Sequence, residues 1–265
     1  MNYRLFAIDV DGTLQNSQHQ LTDTTADAIR HAVSKGVHIV LTTGKQYVTI
    51  QPHIDLLGLK SPQITAGGAI ITDPKSSEDI YRKDIPPDLA QQILSRAHEL
   101  GITAIIFRDG QTFTREMNAD IEYMLTYDDP YPTFLEDITL ALEPAPVQIM
   151  CIAYQNDTLY ESAYQVFLTE FGDVVEVRKS SPYYIEFTAL GVSKGTALKW
   201  LTEYLGISLD HVVAIGDSYN DLSMFDIVGL SVAMANAPEA VRKTADIVTL
   251  SHDEDGVAHI IQELL

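Results

Sequence analysis

The run Asp9-Val10-Asp11-Gly12-Thr13 constrains this chain more than any other feature. It stands where the first apolar stretch, Tyr3-Arg4-Leu5-Phe6-Ala7-Ile8, comes to its end. That stretch reads as a short buried strand. Two carboxylates one residue apart are thereby delivered to the strand's C-terminal end, the edge at which open α/β sheets bind their ligands. Two acids at such a point repel each other unless a cation, a proton or an electrophile lies between them. The pattern therefore points to a divalent metal and to acid chemistry. Asp-Gly is also an ordinary turn pair, so the weight rests on what accompanies it further along the chain.

The first part of the chain alternates strand and helix. Leu21 to Lys35 carries Ala26, Ile29 and Val33 at helical spacing, with Gly36 as a stop signal. Val37 to Leu41 reads as a buried strand that ends in Thr42-Thr43-Gly44-Lys45. A second helix has Tyr47, Ile50, Ile54 and Leu57 on one face, and Pro52 within it predicts a kink or a break. Ile64 to Ile71 reads as a strand region interrupted by Gly67-Gly68. From about Ile80 the rhythm changes. A helix from Pro86-Pro87 to Leu100 is followed by β-like pieces at Thr103 to Phe107 and Gln111 to Arg115. A proline- and acid-rich stretch from Asp128 to Pro146 follows. After it come a strand (Val147 to Tyr154), a helix (Leu159 to Phe171) and two more strands (Val174 to Arg178, Tyr183 to Thr188). This middle section, residues 83–187, reads as an inserted α+β domain.

The βα rhythm resumes with a helix from Lys194 to Leu205, a strand from His211 to Ile215 and the acidic turn Gly216-Asp217. A short helix, a strand at Leu230 to Ala233, a helix from Pro238, a strand at Asp246 to Thr249 and a last helix complete it. Residues 1–82 and 188–265 together predict an α/β fold. Its core is a Rossmann-like parallel sheet with helices on both faces.

Charge narrows the partners. The 265 residues hold 17 basic and 37 acidic side chains, a formal net charge of -20. Nucleic acids and anionic membranes are recognised by basic patches, so neither is expected as a partner. The same charge opposes long-range steering of phosphate compounds, so a metal and a few local cations would have to attract them. Cys151 is the only cysteine, which excludes an intrachain disulfide and fits a reducing compartment. No stretch approaches the ~20 apolar residues of a membrane span. The expectation is a soluble cytoplasmic protein, a monomer or weak homo-oligomer.

Three separated strands end in polar groups: Asp9 and Asp11 after the first, Thr43 after the second, Asp217 after a later one. In a parallel sheet these ends converge on one edge. Lys194 follows Gly191-Val192-Ser193 and opens a helix, where the positive end of the macrodipole disfavours it. It is either a solvated helix-end lysine or one that reaches toward an anion. Gly216-Asp217-Ser218-Tyr219-Asn220-Asp221 adds two carboxylates and an amide, with N-capping as the ordinary reading of Asn220 and Asp221.

Taken together, DVDGT at Asp9 to Thr13, LTTGK with Thr43, Lys194 in GVSKG, and GDSYND at Asp217 to Asp221 resemble the four motifs of the haloacid dehalogenase superfamily, in that superfamily's order. The tail resembles its Cof-type sugar-phosphatase branch. The matching residues run from Val232-Ala233-Met234 through Asn236-Ala237 to Asp253-Glu254-Asp255-Gly256-Val257-Ala258. That branch carries an α/β cap domain inserted between the second and third motifs, where residues 83–187 lie.

The resemblance implies a phosphoric monoester hydrolase acting on small phosphorylated metabolites, sugar phosphates foremost. Asp9 would be the nucleophile that forms an aspartyl phosphate. Asp11 would be the acid and base, with Thr13 fixing its orientation. Mg²⁺ would be held by Asp9, the Asp11 backbone carbonyl, Asp217 and waters. Thr43, the Gly44 backbone, Lys194 and Asn220 would bind the phosphoryl oxygens, and Asp221 would orient Lys194 or a metal-bound water. The cap would choose the substrate. Glu186 is its substrate-contact candidate, with Arg178, Tyr183 and Tyr184 beside it, and Lys45 of the second motif is a further one. Two positions depart from the family pattern: Lys45 where an arginine is common, and Gly67 where an asparagine is common. His252 reads as a surface or capping histidine. The alternatives are a phosphosugar mutase of the same superfamily and a non-catalytic phosphometabolite-binding protein. A dinucleotide-binding fold is disfavoured, because the first strand-helix turn lacks the glycine-rich fingerprint.

Overall fold

A computed structural model describes residues 3–127, 130–181 and 183–265. Asp128 and Asp129, at the start of the acidic stretch singled out above, lie outside the described residues. By compactness the chain forms two units. One comprises residues 3–44, 50–81 and 193–265; the other comprises residues 45–49 and the described part of 82–192.

The first unit is built on a five-stranded parallel sheet. In chain order its first elements are β1 (Leu5–Ile8), α1 (Asp23–Ser34), β2 (His38–Leu41), α2 (Tyr47–Leu57), β3 (Gln63–Thr65), β4 (Ile70–Asp73) and β5 (Glu78–Arg82). The second unit contributes α3 (Pro87–Leu100), β6 (Thr103–Arg108), β7 (Gln111–Thr114), α4 (Ala119–Met124), β8 (Thr133–Phe134), β9 (Gln148–Ile152), α5 (Asp157–Phe171), β10 (Val175–Ser181) and β11 (Tyr184–Ala189). The first unit then closes with α6 (Lys194–Leu205), β12 (Val212–Gly216), α7 (Leu222–Phe225), β13 (Leu230–Ala233), α8 (Glu239–Arg242), β14 (Ile247–Val248) and α9 (Gly256–Leu264).

The parallel sheet has the order β14-β13-β12-β1-β2. β1 lies between β12 and β2, with Ile8 level with Ile215 on one side and Leu41 on the other. Its four residues are all apolar and all buried. A strand covered on both faces has this uninterrupted apolar character rather than an alternating one. Leu5, Ala7, Val40, Val212 and Ala214 pack with Ala197, Leu198 and Leu201 of α6 and with Met224 and Phe225 of α7. Strand alternation sends Phe6, Ile8, Ile39 and Leu41 to the opposite face, where they are equally buried. α1 and α9 pack against each other, and α1 against β2.

Two features depart from the sequence expectation. The region Ile64 to Ile71 is a hairpin: β3 and β4 pair antiparallel, Thr65 opposite Ile70, and with β5 they form a three-stranded sheet. Gly67, at a φ of +65°, lets the chain reverse between them. The hairpin docks on the edge of β2. Gln63 is fully buried, and its side chain accepts from Leu41 N–H and donates to the Ile39 carbonyl. An amide side chain thus occupies the hydrogen-bonding edge that would otherwise lack a strand. The second departure is α2: of the kink or break expected at Pro52, no break occurs, and the helix runs on from Tyr47 to Leu57. The missing N–H costs one helix bond, while buried Ile50, Ile54 and Leu57 hold both sides of the proline to the same core.

The second unit has a six-stranded sheet in the order β10-β11-β9-β6-β7-β8, antiparallel except between β7 and β8. Its core joins Ile106, Ile149, Cys151, Ile185 and Phe187 to Ile93, Leu94 and Ala97 of α3 and Phe167 of α5. Helix α4 had no counterpart in the sequence reading; the Asn118 side chain caps it by accepting from Ile121 N–H. The first unit resumes at Ser193 rather than at 188. β11 extends to Ala189, Glu176 accepts from Gly191 N–H at 2.8 Å, and Arg178 donates to the Val192 carbonyl at 2.7 Å. Among the described residues no helix is long and apolar enough to cross a membrane.

Candidate active site

The site forms where β1 and β12 end side by side. Asp9 follows β1, and its N–H donates to the Ile215 carbonyl at 3.0 Å, so the sheet's own hydrogen bonding continues to the first acidic residue. Val10–Leu14 then turns sharply away. Gly12 takes a φ of +75°, and a side-chain carbon there would fall 2.6 Å from Asp217 Oδ2. Only glycine both adopts that backbone and leaves the carboxylate its space. Asp217, the residue after β12, also receives the Thr13 hydroxyl on Oδ1 at 3.0 Å. Thr13 therefore orients Asp217, a target the sequence does not reveal: a single hydroxyl proton serves one acceptor, and the turn aims it across to β12.

Lys194 is the first residue of α6 and only 1% exposed. Its Nζ donates to Asp9 Oδ1 at 2.5 Å and to Asp221 Oδ1 at 2.7 Å. The solvated reading of this lysine is excluded by its burial. The helix start is held by a capping box, in which the Ser193 hydroxyl accepts from Thr196 N–H and the Thr196 hydroxyl accepts from Ser193 N–H. Asp221 is wholly buried, and its Oδ2 accepts from the N–H groups of Asp217 and Ser218. Asp221 does not N-cap α7 as the sequence suggests: its carboxylate reaches back to the turn before that helix, and Lys194 takes its other oxygen.

Electrostatics follow from this arrangement. Burial pushes the Asp9 carboxyl well above the usual carboxylate range; Lys194 opposes the rise, and Asp221 and Asp217 add to it. Asp217 is raised by burial and by Asp221. Burial alone would lower the Lys194 ammonium, but Asp221 and Asp9 outweigh it and hold the group charged. Asp9 and Asp221 thus share one buried ammonium, with the partly exposed Asp217 close by.

A carboxylate oxygen from each of Asp9, Asp217 and Asp221 lies within 4.8 Å of the others. The donor set fits a hard divalent cation, which takes oxygen ligands. Protein donors already engage both oxygens of Asp221, so Asp9 and Asp217 are the side chains best placed to hold one. The Asp11 side chain is not part of this cluster.

The other expected residues are placed as follows. Thr43 is buried just beyond β2; its N–H donates to the Ile64 carbonyl and its own carbonyl accepts from Gly67 N–H. Since β2 runs parallel to β1, Thr43 and Gly44 leave the sheet at the edge from which Asp9 leaves. Asn220 precedes Asp221, and its Oδ1 is buried with no hydrogen-bond partner. Lys45 begins the short segment that groups with the second unit, and Glu186 lies on β11 there, level with Arg178 and Met150. His252 opens the 3-10 turn His252–Glu254, and its N–H donates to Asn236 Oδ1.

Two positioning residues carry no motif role. Gly68, at a φ of +104°, lies against the Ser193 carbonyl and the Lys194 N–H, so the β3–β4 turn abuts the start of α6. A glycine pair inside an apolar run is the signal that marks such a close approach. Asn236 donates from Nδ2 to the Gly12 carbonyl.

The model of the haloacid dehalogenase-like hydrolase family matches residues 6–261, nearly the entire chain. The chain belongs to that family. This haloacid dehalogenase-like protein is 34% identical over 264 residues to the 5-amino-6-(5-phospho-D-ribitylamino)uracil phosphatase YcsE of Bacillus subtilis, covering 99% of this chain and 96% of the relative. It is 31% identical over 288 residues to phosphatase YwpJ of the same organism, covering 99% and 100%. Among solved structures, a haloacid dehalogenase-like hydrolase from Bacteroides thetaiotaomicron superposes with a TM-score of 0.92 at 25% identity, covering 99% and 100% of the two chains.

Proposed function

We propose that this protein is a phosphatase that hydrolyses monoesters of small phosphorylated metabolites through an aspartyl phosphate on Asp9. The observation that carries the reading is the buried Lys194 ammonium bridging Asp9 and Asp221, with Asp217 beside them. A nucleophilic carboxylate in a dry site needs such a cation to remain ionised. The names of its relatives as phosphatases support the same conclusion.

In the first half-reaction an Asp9 oxygen forms a bond to phosphorus as the bond to the ester oxygen breaks, and the Asp11 carboxyl protonates the departing alkoxide. In the second, water adds its oxygen to phosphorus and gives its proton to Asp11, while the bond to Asp9 breaks and inorganic phosphate leaves. Lys194, the Thr43 hydroxyl, the Gly44 N–H and the Asn220 side chain stabilise the charge spread over the equatorial oxygens. Asp9, Asp217 and the Asp11 backbone carbonyl would hold Mg²⁺, which when bound supplies positive charge against the phosphoryl group. Residues 83–187 act as the cap that selects the substrate, with Lys45 and Glu186 as contacts. Phosphorylated sugars and sugar alcohols are the proposed substrate class, and the phosphoribityl compound in the name of the YcsE relative supports it.

The test is phosphate release from a panel of sugar, sugar-alcohol and nucleoside monophosphates, with Mg²⁺ or EDTA, for the wild type and Asp9→Asn. Metal-dependent release that vanishes in the variant is expected. No release from any substrate, with transfer of phosphate from hexose 1-phosphate to the 6-position when a bisphosphate is added, would overturn hydrolysis in favour of a mutase.

A further inference from the structure

The tail segment has no part in the steps above, yet it reaches the acidic turn. Asn236 lies in the exposed loop after β13. Its Nδ2 donates to the Gly12 carbonyl at 2.8 Å, and its Oδ1 accepts from His252 N–H at 3.0 Å. One amide therefore joins three loops: the loop after β13, the loop before α9, and the turn that carries Asp11. Gly12 leads directly to Asp217. Its Cα lies so close to the Asp217 carboxylate that no side chain fits between them, and the next residue, Thr13, donates its hydroxyl to the same carboxylate. The peptide between Gly12 and Thr13 is planar and rigid. Whatever fixes its carbonyl also fixes the two groups that hold Asp217.

We propose that Asn236 is a positioning residue for Asp217, acting through the Gly12–Thr13 peptide to set that carboxylate for its cation. The assignment rests on the reading of Asp217 as a Mg²⁺ ligand. The same tail provides its own contrast. Asp253 Oδ1 accepts from Ser17 N–H at 2.8 Å, and Asp255 Oδ1 accepts the hydroxyls of Thr22 at 2.5 Å and Thr25 at 3.1 Å. These bonds tie the tail to the segment before α1 and to the first turn of that helix, without touching Gly12. Asp255 secures the fold of that region, whereas Asn236 acts on the ligand.

The experiment is calorimetric titration of Mg²⁺ into substrate-free protein, with melting temperatures taken in parallel, for wild type, Asn236→Ala, Asn236→Asp and Asp255→Ala. Loss of an outer group that orients a metal ligand weakens metal binding about 10–100-fold, and a change at the lower end is expected for Asn236→Ala. Asn236→Asp keeps an acceptor for His252 N–H but has no donor for Gly12; it too is expected to bind Mg²⁺ more weakly, despite its added negative charge. Asp255→Ala is expected to melt earlier while keeping its Mg²⁺ affinity. Wild-type affinity in Asn236→Ala, or an equal loss in Asp255→Ala, would overturn the assignment. A wild-type protein that binds no Mg²⁺ would overturn the reading of Asp217, and the role of Asn236 with it.

Discussion

Lys194 and Asp9 stand 185 positions apart in the chain, yet the lysine ammonium sits 2.5 Å from an oxygen of the aspartate, with both side chains buried. Removing either partner leaves the other in a space that water hardly reaches. Because Asp221 also depends on Lys194, the lysine has two charges to balance and each aspartate only one.

Lys194→Met should therefore destabilise the protein by about 3–5 kcal/mol, the cost of leaving buried charge unpaired. It should also lower kcat by at least about 10²–10³-fold through loss of phosphoryl stabilisation. Urea unfolding and steady-state kinetics check the two effects. Adding Asp9→Asn to the lysine variant should recover part of the stability and none of the activity.

Asp9→Asn alone should abolish turnover with little cost to the fold. Burial and the neighbouring Asp221 and Asp217 already push the Asp9 carboxyl upward, so replacing it with a neutral amide relieves crowded negative charge while Asp221 still pairs Lys194. A melting temperature in EDTA that is not below that of the wild type is the expected result, read alongside the absence of phosphate release.

Asp11→Asn should discriminate among substrates. Esters of aliphatic alcohols need the leaving oxygen protonated, whereas p-nitrophenolate departs with little help. The loss in kcat should be several-fold greater on sugar phosphates than on p-nitrophenyl phosphate. An equal loss on both would remove Asp11 from the role of general acid.

Gly68 and Gly67 should respond oppositely to substitution. Gly68→Ala combines a positive φ with overlap on the Ser193 carbonyl. It should cost about 1–3 kcal/mol in backbone strain alone and lower kcat by displacing Lys194. Gly67 faces open space in the left-handed region, which asparagine tolerates. Gly67→Asn should fold like the wild type, with any change confined to KM.

His38 gives the protein a pH dependence of stability. Burial, then Arg4 and Lys75, hold its imidazole below the ordinary value of 6.5. The unfolded chain thus binds the proton more readily than the native one, and stability rises with pH. The contribution is fully present above the unfolded pKa and is lost as pH falls through the lower folded value. Unfolding curves between pH 5 and 7 should show His38→Gln with a shallower slope than the wild type.

Much of the core was legible in the sequence because its signals are local. The apolar run Leu5–Ile8 followed at once by acid, and the helix start at Lys194, are patterns of adjacent residues. What escaped depends on contacts across the fold. Thr13 sits two positions from Asp11 but donates its hydroxyl to Asp217, 204 positions away; no spacing along the chain reveals such a target. Gly68 is visible in the sequence as part of an interruption in a strand region, yet its reason is the backbone of Ser193. At Pro52 the local rule allows a kink or a break, and buried Ile50, Ile54 and Leu57 keep the helix unbroken. In the second unit, Asn118 offered the ordinary signal of a helix start before α4, but six residues are too few to establish a period.

The sheet order also bears on how such a protein diversifies. Asp9 and Asp217 leave neighbouring strands whose register, Ile8 level with Ile215, is set by backbone hydrogen bonds. Adjacent strands lie about 4.8 Å apart whatever their side chains, so the sheet acts as a ruler between the two carboxylates. Their separation does not depend on the length or content of the chain that joins them. The long insert between the strands is thus free to vary while the spacing of the two carboxylates stays constant.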